Sequence, residues 1–203
     1  MRGKMEDIIL ASASPRRREL LDQIGISYRV VVSREEEKIK GDTPAEVVQK
    51  LAWNKAQDVT LNLQVKKKLV LGADTVVVWN NQILGKPAGE EEAFEMLTDL
   101  QGKIHQVYTG VALVYLDHEG KLKGTCFYEE TQVEVYPMNE EEIRTYLATK
   151  DYTDKAGAYG IQGAFGAYIK GIRGEYSNVV GLPLGRLYQE MKKIHLELEG
   201  KMR

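Results

Sequence analysis

Short apolar runs alternate along this chain with stripes at helical spacing, the pattern of an α/β protein. Ile8–Ala11 reads as a short buried strand that passes directly into Ser12-Ala13-Ser14-Pro15. Ser14 suits an N-cap and Pro15 the first helical position. Leu20, Leu21 and Ile24 form the stripe of that first helix, and Gly25 ends it. Tyr28–Val32 is a second strand. Thr43-Pro44-Ala45-Glu46 opens a long helix with the makings of a capping box, and Val47, Val48, Leu51, Ala52, Ala56 and Val59 are its buried stripe. Leu69–Trp79 is an apolar run that reads as a buried strand. Asn80-Asn81 turns it, and Ile83-Leu84 returns as a short antiparallel strand.

Ala93, Met96, Leu97 and Leu100 make another helix stripe, closed by Gly102. Ile104–Leu116 and Leu122–Tyr136 then alternate and carry many β-branched and aromatic residues, with Asp117-His118-Glu119-Gly120 as the turn between them. The expectation is a long hairpin serving as an edge of the sheet or of a dimer. Asn139 caps a helix with Ile143, Tyr146 and Leu147 inward. Ala167–Ile172 is the last strand, and Leu184, Leu187, Tyr188, Met191 and Ile194 share one face of a C-terminal helix. No linker, repeat or low-complexity stretch divides the chain, so one domain over residues 1–203 is expected.

Charge changes this picture little. Lysine plus arginine number 28 against 30 acidic residues, a formal net charge of -2. A general nucleic-acid binder or a binder of anionic membranes needs a basic surplus, so neither partner is expected. A single cysteine excludes an intrachain disulfide, and the three histidines make no metal-binding spacing. No signal peptide or membrane span is read, which leaves a soluble cytoplasmic protein as the expectation.

Candidate chemistry begins with Asp74, a carboxylate in the middle of the most apolar run. Burying it ionised costs several kcal/mol, on the order of the penalty for any desolvated charge, unless something compensates it. Two readings stay open: a structural pairing, or a metal and a phosphorylated ligand. Gly72 and Asp74 share one face of the strand, and Gly72 leaves space there. Lys55 falls on the apolar stripe of its helix, where it either snorkels outward or is held inward to meet phosphate. Arg16 and Arg17 stand in the first turn of a helix, where the dipole opposes them. We read an anion site at Ser12–Arg17, with a solvated basic turn as the alternative. Lys86 is fixed between Gly85 and Pro87 and returns near Asp74 if the preceding turn is a hairpin. The acidic run Glu35-Glu36-Glu37 is either a solvated loop or a source of oxygen ligands for a hard cation. Glycines recur at 157, 160, 163 and 166, around Tyr159, Gln162 and Phe165. From the glycines alone an irregular turn is the better reading, with a stacking face and an amide for a base as the alternative. His105 reads better as a structural histidine than as a catalytic one.

Several stretches together resemble the Maf family of nucleoside triphosphate pyrophosphatases, historically linked to septum formation. They are SASPRR (Ser12–Arg17), GADT (Gly72–Thr75), GKP (Gly85–Pro87), the run Gly102–Gly110, DKAGAYGIQG (Asp154–Gly163) and NVVGLP (Asn178–Pro183). The resemblance implies a mixed twisted sheet flanked by helices, in two lobes with a central cleft, related in fold to inosine triphosphate pyrophosphatases. It implies hydrolysis of a nucleoside triphosphate to monophosphate and pyrophosphate with Mg2+ or Mn2+. Arg16, Thr75 and Gln162 match the branch that acts on dTTP and UTP. The resemblance casts Asp74 as proton acceptor and metal ligand, with Glu37 or Glu36 as its metal partner. Lys86, Lys55, Arg17 and Ser12 would hold the phosphates. Family habit and the long hairpin also allow a homodimer. A non-catalytic regulator of cell division is the alternative function, and the retained Asp74, Lys55 and Lys86 speak against it.

One constraint follows from alternation. Asp74 and Thr75 are neighbours, and a flat strand points them to opposite faces. If both face substrate, a bulge, bend or strand end is required at Ala73–Thr75.

Overall fold

The structure is a computed structural model that describes residues 8–34, 43–64 and 66–198. Seven strands form one mixed sheet: β1 (Ile8–Leu10), β2 (Tyr28–Val30), β3 (Val70–Trp79), β4 (Gln82–Leu84), β5 (Ile104–Leu116), β6 (Leu122–Val135) and β7 (Ile169–Arg173). The order is β2-β1-β3-β5-β6-β7, with β4 paired to β3. β1 runs parallel to both β2 and β3, while β4 and β7 pair antiparallel with β3 and β6. The helices are α1 (Pro15–Gln23), α2 (Pro44–Leu63), α3 (Glu90–Leu100), α4 (Glu140–Ala148), α5 (Tyr176–Val180) and α6 (Leu184–Leu198).

Local chemistry starts the helices where the pattern expected. The Thr43 hydroxyl accepts from the Glu46 N–H while the Glu46 carboxylate accepts from the Thr43 N–H, a complete capping box. Asn139 and Glu142 repeat it on α4. The Asp117 turn is held by its own carboxylate, which accepts from the N–H groups of Glu119 and Lys121, with Gly120 at φ +83°.

The chain gathers into two compact units. Unit one comprises residues 1–74, 109–128 and 181–203. Within it Ile9, Ala11, Val70, Ala112 and Val114 pack against Ala52, Ala56 and Val59 of α2. Unit two comprises residues 75–108 and 129–180. Its core joins Ala93, Leu97 and Leu100 of α3 to Ile143 and Leu147 of α4, with Val133, Val135, Tyr159 and Phe165.

Three details sharpen the expected elements. The hairpin β5–β6 lies within the strand order, with β3 beside β5 and β7 paired to β6 over Gln132–Val135. β7 begins at Ile169 rather than Ala167, because Ala164–Tyr168 winds into a 3-10 helix first. β3 runs as one strand from Val70 to Trp79, so no strand end falls at Ala73–Thr75.

Candidate active site

In unit one the turn from β1 into α1 is built around the Ser12 hydroxyl. Ser14 occupies the N-cap position, but its side chain makes no capping bond; its N–H donates instead to Ser12 Oγ at 3.3 Å. Arg17 is buried rather than solvated. Its Nη1 donates to Ser12 Oγ at 2.9 Å, and its Nε donates to the Gly181 carbonyl at 2.9 Å. These bonds offset the unfavourable position of a cation at a helix start and fix the guanidinium in one orientation. Arg16, one residue earlier, is half-buried.

Asp74 meets Lys55 in the same unit. Lys55 Nζ stands 2.6 Å from Asp74 Oδ1, and the two side chains are 13% and 11% exposed. Lys55 therefore turns inward from the α2 stripe. The approach depends on two glycines. A Cβ at Gly72 would collide with the Ala52 carbonyl and the Ala56 nitrogen, and one at Gly110 would collide with the backbone of Val48. The space expected beside Asp74 at Gly72 is thus filled by the α2 backbone. α2 lies flat on the sheet there, and this closeness brings the Lys55 ammonium to the carboxylate. Removing one partner of such a buried pair costs about 3–5 kcal/mol, because the other charge is left uncompensated.

One turn further along α2, Asp58 ties down the chain leading toward the acidic run. Its Oδ2 accepts from the Ser33 hydroxyl at 2.8 Å and the Arg34 N–H at 2.9 Å, and its Oδ1 accepts from Asn62 at 2.8 Å. Burial pushes its carboxyl upward, but these hydrogen bonds win and hold it below the ordinary value. Nothing in the sequence pattern singled out Asp58. Glu36 and Glu37 lie outside the described residues.

Metal chemistry can be tested on this donor set. Among the described residues, no three His, Cys, Asp or Glu side chains gather into a metal cage. A hard cation such as Mg2+ needs none, since it takes one or two carboxylates and completes its shell with water and phosphate. Asp74 supplies a carboxylate whose Oδ1 is already fixed by Lys55. The residues fit a metal shared with a phosphorylated ligand.

Unit two holds the remaining expected residues. The β3–β4 register, Val77 opposite Leu84, runs Gly85-Lys86-Pro87 back along β3 toward Thr75. The Gly157 N–H donates to the Gly85 carbonyl at 3.0 Å, which ties this turn to the glycine-rich stretch. Thr75, the next residue of β3, is half-buried, and alternation along a regular strand sets it on the face opposite Asp74. Asp74 is the one of the two that meets Lys55. Gln162 is exposed on a turn. Tyr159 and Phe165 are not a stacking face: they are 5% and 0% exposed, with ring centroids 4.7 Å apart in the core. His105 is fully buried, with Nε2 2.7 Å from the Tyr159 hydroxyl. Desolvation lowers its pKa to about 4, so it is neutral near pH 7 and takes a structural place.

The model of the family described as Maf-like protein matches residues 7–194, spanning both units. The chain belongs to the Maf-like family. A relative from Agathobacter rectalis, named dTTP/UTP pyrophosphatase, is 51% identical over 96% of this chain and 100% of its own length. Another of that name from Bacillus cereus is 47% identical over 96% of this chain and 98% of its own. A solved nucleoside-triphosphatase / dITP/XTP pyrophosphatase from Mycobacterium abscessus aligns at 14% identity and a TM-score of 0.43, covering 64% of this chain and 74% of that one. Among the Maf motifs, GADT carries Asp74 and the glycine under α2, and NVVGLP carries the carbonyl that anchors Arg17. No described helix is long and apolar enough to cross a membrane.

Proposed function

We propose that this Maf-like chain hydrolyses dTTP and UTP to the nucleoside monophosphate and pyrophosphate. The observation that carries the reading is identity of 43–51% to proteins named dTTP/UTP pyrophosphatase over nearly the full length of both partners. The buried Lys55–Asp74 pair is consistent with it, since it sets a cation beside a carboxylate in the strand that carries GADT. The single family match across both units supports reading residues 1–203 as one Maf-like domain.

In this mechanism Arg17, Lys55 and Lys86 neutralise the triphosphate oxygens, and Ser12 lies among them through its bond to Arg17. Asp74 accepts a hydrogen bond from the water that attacks the α-phosphorus, and Lys55 holds that carboxylate in orientation. The P–O bond to the β-phosphate breaks in line, and pyrophosphate leaves with its charge spread over the same cations. A divalent cation, when bound through Asp74 with Glu36 or Glu37, supplies Lewis acidity and lowers the pKa of water. Gln162 reads the pyrimidine edge, since an amide matches the adjacent donor and acceptor of uracil or thymine, and Arg16 assists.

The experiment is a panel of nucleoside triphosphates with Mg2+, scored for pyrophosphate. Release from UTP and dTTP is expected, with a fall of about 10³-fold or more in Asp74→Asn, on the order of losing a general base and its electrostatics together. An Asp74→Asn variant with full turnover would overturn the mechanism.

A further inference from the structure

The glycine repeat of unit two has a physical cause that points to two residues outside the proposed machinery. Lys155 is 13% exposed, and its ammonium is wrapped by acceptors. Nζ donates to the Asp151 carbonyl, to Asp151 Oδ1 at 2.8 Å and to Asp154 Oδ1 at 2.8 Å. Asp151 Oδ2 is buried and has no hydrogen-bond partner. The glycines rest on this pair. A Cβ at Gly160 would strike Cε and Cδ of Lys155, and one at Gly163 would strike the Asp151 carboxylate at Oδ2. Gly160 and Gly163 bracket Gln162, two residues before it and one after.

A stretch rich in glycine has many conformations to choose from, and an exposed amide on it would wander without a support. Here the backbone on both sides of Gln162 lies directly on one ion pair. Within the turn, the Gly163 N–H donates to the Gly160 carbonyl and the Gly166 N–H to the Gly163 carbonyl. We propose that Lys155 and Asp151 are positioning residues for base selection: their ion pair is the platform that holds Gln162 in its reading position. This inference rests on the proposed role of Gln162 as the residue that reads the pyrimidine.

The test compares kcat/KM for UTP and CTP in the full chain, with melting temperature recorded beside it. Lys155→Met keeps the stem under Gly160 and removes the charge, while Asp151→Asn keeps the shape under Gly163. Gln162→Ala is the reference. The UTP/CTP ratio is expected to fall about tenfold or more in all three, mainly through a raised KM for UTP. If Gln162→Ala lowers the ratio and neither platform variant does, the platform is refuted while the role of Gln162 stands. If Gln162→Ala leaves the ratio unchanged, the reading of Gln162 fails and the inference falls with it. Equal losses on UTP and CTP in both platform variants would mark a purely structural pair and also refute it. If Lys155→Met does not fold, Asp151→Asn decides alone.

Discussion

Substituting alanine for Gly72 tests the central geometry, because it acts on the distance between α2 and β3 without touching a charged group. The added Cβ would lie 2.2 Å from the Ala52 carbonyl oxygen and 2.9 Å from the Ala56 nitrogen. Ordinary contact begins near 3.4 Å, so α2 must retreat by roughly 1 Å, since a helix backbone cannot rotate aside as a side chain can. Overpacking of this kind costs about 1–3 kcal/mol, and the upper end is expected here. The same retreat carries Lys55 away from Asp74, and a misplacement of ~1 Å costs on the order of 100-fold in turnover. Urea unfolding reads the first effect, and pyrophosphate release from UTP reads the second. Gly171→Ala is the control: it also lies in a strand, at β7, but its Cβ would meet nothing within 4 Å. A Gly72→Ala protein with the midpoint and turnover of wild type would show that α2 does not rest on β3 as described.

Two further outcomes concern unit two. His105 is neutral and buried with a pKa near 4 instead of 6.5, so the unfolded chain binds the extra proton between those values. Its contribution is complete above pH 6.5 and is lost as the pH falls toward 4, up to about 3 kcal/mol at 1.36 kcal/mol per unit. Unfolding curves at pH 7.5 and 4.5 should therefore diverge less in His105→Gln than in wild type, and equal divergence would remove His105 as the cause. Phe165 is fully buried, with Tyr159 and Tyr146 rings at 4.7 and 5.0 Å; Phe165→Ala should cost about 3–5 kcal/mol in denaturant unfolding, and a loss below 1 kcal/mol would place it outside the core.

What the sequence made legible was mostly local. The capping box at Thr43, the cap at Asn139 and the Asp117 turn depend on residues two to four apart, and each formed as expected. The α2 stripe predicted both its buried face and the odd place of Lys55 within it. What stayed hidden depended on which distant backbone fills a space. Gly72 read as room for a ligand because nothing in its neighbourhood announces that α2 lies against it. A stacking face stayed open for Tyr159 and Phe165 because a glycine-rich stretch has no periodicity to reveal an inner face, whereas both are core residues. The expected break at Thr75 came from asking two adjacent side chains to serve one ligand, and β3 does not end there. Asp58 and Lys155 are ordinary charges in the sequence; only their partners distinguish them.

Arg17 also has a place in time. It leaves the ribosome early, but the carbonyl that fixes its guanidinium belongs to Gly181, in the last of the three segments that make up unit one. Proteins usually fold in the order of synthesis, first domain first. That order is closed to unit one, whose second and third segments are made only after long stretches of unit two. A growing chain therefore carries its basic turn without the anchor that orients it, and a product stopped before residue 181 holds Asp74 and Lys55 yet lacks an aligned Arg17.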